Sequence, residues 1–205
     1  MLGFDYIHDA SLERLVAWWQ HPETIPKDFD GHGLDEVAYG LCRHGPSGVQ
    51  LLRDALYSDE LDRRCASLFF LASPDLVNEQ LQRALVDAFD PVSTLLSSTV
   101  LRSCVQIRYF PFPDEQIRGF WHHPGERFAA TSMIYLAHSH PDQTSAILEQ
   151  ALCDPNPRMR EYACDEIGDH CISALRDQMA PLINDPHPDV AASAEANLPF
   201  LSTDD

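Results

Sequence analysis

One motif occurs twice in this chain, 31 positions apart, and it limits the folds open to the sequence more than any other feature. Asp154-Pro155-Asn156-Pro157 recurs as Asp185-Pro186-His187-Pro188. The apolar positions move with it: Leu152 maps on Ile183, Met159 on Val190, Ala163 on Ala194 and Ile167 on Leu198. A period of this length describes a helix–turn–helix unit, and such a unit cannot bury its apolar face alone. Upstream, His123-Pro124-Gly125-Glu126, Asp90-Pro91 and Asp59 continue the series. The turns then fall at 59, 90, 123, 154 and 185, with spacings of 31, 33, 31 and 31.

These residues resemble the HEAT family, in particular its short HEAT-like (PBS-lyase-type) repeats. The resemblance rests on Asp154-Pro155-Asn156-Pro157-Arg158-Met159-Arg160 with Ala163 and Ile167-Gly168. Asp185 to Leu198 repeats the pattern with Ala191 in place of the second arginine. The match is specific over residues 142–199 and weaker over 45–141. It implies an all-α chain forming an α-α superhelix, a right-handed α-solenoid of helical hairpins. Residues 1–44 read as an N-terminal capping hairpin, 45–201 as about five repeats and 202–205 as a mobile tail, all in one elongated domain. Where the second arginine is missing, so is the partner for an Asp–Arg ladder of the kind that ties such repeats together.

Taken in order, Leu12, Leu15, Val16 and Trp19 mark a first helix with Ser11 as its N-cap, stopped by His21-Pro22. Residues 22–33 form a long loop that carries Lys27, the only lysine. Eleven or twelve helices are expected. Helices follow near 34–43, 47–57, 60–72, 75–89 and 92–107. Leu81, Leu85, Ala88, Phe89, Leu95, Leu96 and Val100 are placed inward. A proline- and aromatic-rich stretch from Arg108 leads to a short helix over 114–121. Tyr109, Phe110, Phe112, Phe120, Trp121 and Phe128 are expected to crowd together there. Helices over 126–137, 144–153, 157–168, 172–184 and 188–198 complete the array. Ile172, Leu175, Met179, Leu182 and Ile183 are read as an inner stripe, with a kink at Pro181. Phe200 and Leu201 fold back over the last seam.

Charge narrows the functions available. There are 32 acidic and 14 basic residues, a net charge of −18. Residues 141–205 hold thirteen acidic and three basic residues, a net of −10. Such a field repels nucleic acid and anionic membranes and attracts a basic partner; acidic residues also serve simple solubility. No apolar run has the length of a membrane span, and Met1 to Ala10 lacks the pattern of a signal peptide. The chain is therefore expected to be cytoplasmic, with no nucleic acid or membrane as partner. Six cysteines without Cys-x-x-Cys spacing argue against a disulfide framework.

Reactive constellations are sparse. His122-His123 and His138-Ser139-His140 are candidate metal ligands, but no acid at helical spacing completes either group. Cys164 and His170 have no acid placed to orient the histidine. Neither a phosphate-binding loop nor Gly-x-Ser-x-Gly occurs. The expectation is accordingly no catalytic residue, no metal and no cofactor. The di-iron hydroxylases of the resembled fold use repeated His-Glu dipeptides, and this chain has none. Its DNA glycosylases need a cationic groove, against which a charge of −18 argues.

The candidate partner-binding residues are Glu161, Asp165 and Asp169, at i, i+4 and i+8 opposite the core stripe Met159, Ala163 and Ile167, together with Tyr109 and Phe112 on the proline-rich loop. The second helix of a HEAT hairpin lines the concave face, which would put the acidic stripe where partners bind. Equally, it is a solvated face neutralised in part by Arg158 and Arg160, and the aromatic pair fills a shortened repeat. The leading expectation is a non-catalytic scaffold binding a basic protein. Its sharpest form is an immunity or antitoxin protein facing a toxin such as a nuclease. The alternative is a HEAT-like lyase or chaperone acting on a tetrapyrrole-bearing or modified protein.

Overall fold

Prolines and small polar caps divide the chain, and between them it is helical. The computed structural model describes residues 10–26 and 33–201, and among these twelve α-helices and four short 3-10 segments occur, with no strand. The helices are α1 (Leu12–Gln20), α2 (Gly33–Arg43), α3 (Pro46–Asp54), α4 (Leu61–Leu71), α5 (Glu79–Ala88) and α6 (Thr94–Ile107). Then come α7 (Asp114–Arg118), α8 (Glu126–Ser139), α9 (Thr144–Leu152), α10 (Pro157–Asp169), α11 (Arg176–Met179) and α12 (Pro188–Asn197). Residues 27–32 of the loop, with Lys27, and Asp5, Asp9 and the 202–205 tail lie outside the described residues; Pro22–Thr24 makes a 3-10 turn. No helix among the described residues is long and apolar enough to cross a membrane.

The chain groups into two compact units, Met1–Ile107 and Arg108–Asp205. In the first, Ser11 caps α1 by accepting from the Arg14 N–H. Trp18 and Trp19 of α1 are buried, as are Leu41 of α2, Leu52 of α3 and Leu68 of α4. α2 and α3 meet at Gly48, where a Cβ would stand 2.0 Å from the Leu41 carbonyl oxygen. α6 forms despite its serines and threonines because several of them find backbone acceptors. Ser97 donates to the Asp90 carbonyl at 2.6 Å, and Ser103 reaches across to the Leu68 carbonyl of α4 at 3.2 Å.

Four details differ from the periodicity reading. Asn78 accepts from the Leu81 N–H and starts α5 there, so 75–78 is not helical. Leu95 is 54% exposed, because the buried stripe of α6 runs through Leu96, Val100, Leu101 and Cys104. The segment after Ile172 is broken into Ser173–Leu175, α11 and Ala180–Asn184. Pro181 stands in the last of these, which winds at about three residues per turn, and its Ile183 is 47% exposed. Phe200 lies in a closing 3-10 turn and is also exposed, while Leu201 is buried as expected.

In the second unit α10 is the centre. It packs on α8, α9 and, most extensively, α12. Pro157 opens it and the Asn156 side chain caps it by accepting from the Arg158 N–H at 2.9 Å. Met159, Ala163, Cys164, Ile167 and Gly168 are buried. Its C-terminus is closed by two reverse bonds, Ile172 N–H to the Ile167 carbonyl at 3.0 Å and Cys171 N–H to the Gly168 carbonyl at 3.1 Å. This is a Schellman closure, which places the residue after the cap in the left-handed region. Cys171 occupies that place with φ 50°.

Candidate functional site

The acidic stripe is not laid out along open solvent. Glu161 is half-buried and takes an ion pair from Arg158, which also reaches Asp189 of α12 at 3.0 Å. Asp165 accepts from the Ser193 hydroxyl and, at 3.1 Å, from the Asn197 amide, both on α12. Of the three, only Asp169 is exposed. The opposite-face argument treats α10 as packed on one side, whereas α12 covers a second. Arg160 does not neutralise the stripe either. It forms two 2.8 Å bonds to the Asp185 carboxylate and a third to the Asp154 carbonyl.

Asp185 and Asp154 play the same local part. Each carboxylate accepts a 2.9 Å bond from the N–H two residues on, His187 and Asn156 respectively. Each also takes a donor from the preceding turn of the chain. For Asp185 this is Arg160, which holds the carboxyl below its ordinary range against the opposing effect of burial. For Asp154, 7% exposed, it is the Trp121 indole N–H at 2.8 Å. An indole thus gives Asp154 the side-chain donor that Arg160 gives Asp185.

Phe112 and Tyr109 are both half-buried. The Phe112 N–H donates to the Tyr135 hydroxyl at 3.1 Å, and its ring lies 6.1 Å from that of Tyr135. Phe110 meets Tyr135 edge-on at 5.2 Å. Phe110 and Phe112 thus lie around Tyr135, and Phe120 lies with Phe128 and His123.

The histidines sort differently from their order in sequence. His123 packs on Phe128, and His140 sits against the Asp114 carboxylate. His138, near the end of α8, meets α10. Its Nε2 is 2.7 Å from Glu166 Oε2, and His170 Nε2 is 3.4 Å from the same oxygen. The two imidazole rings lie 5.0 Å apart, edge to face. His138, Glu166 and His170 each offer one ligand atom, and these lie within 4.8 Å of one another. The acid missing from the sequence reading comes from another helix. Glu166 and His170 are one turn apart on α10, a spacing visible in the sequence; His138 comes from 28 positions upstream, which no local pattern reveals. His138 and His170 also line a cleft of about 440 Å³ with Arg108, Phe110, Ser139 and Thr144.

Cys164 is not paired with His170 for nucleophilic chemistry. Burial, ahead of the neighbouring Asp165, pushes its thiol up to about 12. A thiol so rarely ionised is a poor nucleophile. No family model matches the sequence, and no curated protein matches it.

Proposed function

We propose that this chain is a HEAT-like α-solenoid acting as a non-catalytic scaffold, and that its partner is a basic protein. The observation that carries the reading is unpaired charge on the second unit. Asp142, Glu149, Asp169, Asp177 and Glu195 are all exposed, and none is ion-paired with a described residue. They add to a chain of net charge −18. Such a field accelerates encounter with a cationic surface and acts mainly on association rate. The sharpest form of the reading is an immunity protein that neutralises a basic toxin, a nuclease being the chemical type that needs a cationic surface of its own. Because Glu161 and Asp165 are committed to Arg158 and α12, the contact is assigned to Asp169 and the other exposed carboxylates. Tyr109 and Phe112 are held in reserve as flanking apolar contacts.

The test is capture from the source cell followed by kinetics. A basic partner should associate more slowly as salt rises, and Asp169→Lys with Glu195→Lys should slow it further at low salt while helicity is unchanged. A partner of neutral or acidic charge, or association indifferent to both salt and reversal, overturns the proposal.

A further inference from the structure

We infer that His138, Glu166 and His170 form a binding site for one divalent transition-metal ion of the zinc class. The donor set points to the class. Two imidazoles and a carboxylate suit zinc and its neighbours, whereas calcium and magnesium take oxygen ligands.

Geometry supports three ligands on one ion. A tetrahedral ion with bonds of about 2.0–2.1 Å holds its ligand atoms about 3.3 Å apart. His170 Nε2 already stands 3.4 Å from Glu166 Oε2, too long for a strong hydrogen bond. His138 Nε2 at 2.7 Å needs to withdraw by roughly half an ångström. An ordinary His–Glu ion pair would need one imidazole, yet two converge on one oxygen.

The supports are rigid. Glu166 and His170 are one turn apart on α10, and the Schellman closure at Cys171 ends the helix directly after His170. α8, which carries His138, packs on α10. The site is reachable as well as fixed, since the His170 side chain is 50% exposed while Glu166 is 17% exposed. With three protein ligands, the remaining coordination position opens toward the cleft that His138 and His170 line. The exposed Arg108 in that cleft suits a small carboxylate or phosphate as the fourth ligand, with water in its place otherwise.

The experiment uses the full chain, stripped with a chelator and titrated with zinc chloride by calorimetry and with cobalt(II) by visible spectroscopy. One ion per chain is expected. His138→Ala and Glu166→Gln should each weaken zinc binding on the order of 10- to 100-fold. Circular dichroism checks that each variant stays helical. Should His138→Ala unfold, His170→Asn replaces it, because that ring is half in solvent. The cobalt spectrum should be tetrahedral without a thiolate charge-transfer band. No stoichiometric uptake by the wild type overturns the assignment. So does uptake unchanged in every variant, or a thiolate band, which would move the ion to Cys171 or Cys153.

Discussion

At the scale of single residues, two positions carry energy that the sequence does not advertise. Cys171 sits at φ 50°, where a side chain costs about 1 kcal/mol that glycine does not pay. Cys171→Gly should therefore stabilise the chain by about 0.5–1 kcal/mol, seen as a higher urea midpoint; a lower midpoint would mean the side chain is held by something more than the Gly168 carbonyl. Arg160 is the opposite case. Its partner Asp185 has a side chain only 4% exposed, so Arg160→Met leaves a carboxylate with little access to water. The expected loss is about 3 kcal/mol at neutral pH. The folded pKa of Asp185 is lowered, so its stabilisation is complete above the ordinary carboxyl value and is lost as pH falls through the folded one. The gap between wild type and Arg160→Met should thus narrow below about pH 4, measured by denaturant titration across that range.

At the scale of helices, much was legible and the failures have causes. The starts of α1 and α10 follow from Ser11 and from Asn156-Pro157, because caps and prolines act through local geometry. Faces were harder. The two adjacent leucines Leu95 and Leu96 cannot both point inward on one helix, and only packing against α4 and α5 chooses between them. A period of 3.6 puts Ile183 inward, but its segment winds as a 3-10 turn and leaves it exposed. The buried second side of α10 was invisible because its cover, Ser193 and Asn197 of α12, is polar and gives no apolar signal. The His138–Glu166–His170 cluster was half legible, through the one-turn spacing on α10 alone. Close helix contacts at glycine leave no apolar signal in the sequence, and they make a test. A Cβ at Gly48 would meet Leu41 backbone atoms at 2.0 and 2.8 Å, whereas one at Gly168 would meet the Asn197 side chain at 2.1–2.6 Å. Backbone cannot step aside and an amide can. Gly48→Ala should cost about 3 kcal/mol and Gly168→Ala about half of that, compared by thermal melts.

For the whole molecule, charge sets the response to solvent. A net of −18 on 205 residues repels itself. Raising sodium chloride from about 0.01 M to about 0.2 M should screen that repulsion and lift the melting temperature by roughly 3 °C or more. A melting point that falls with salt would mean that the ion pairs of Arg158 and Arg160 outweigh it. The placement of the tryptophans has a further consequence. Trp18 and Trp19 belong to the first unit and Trp121 to the second, where its indole N–H donates to the buried Asp154 carboxylate. With Trp18→Phe and Trp19→Phe in place, all indole fluorescence comes from one turn of the second unit, beside Asp154. The chain carries its own optical reporter, and the colour of that emission would register the state of the second unit by itself as denaturant is added.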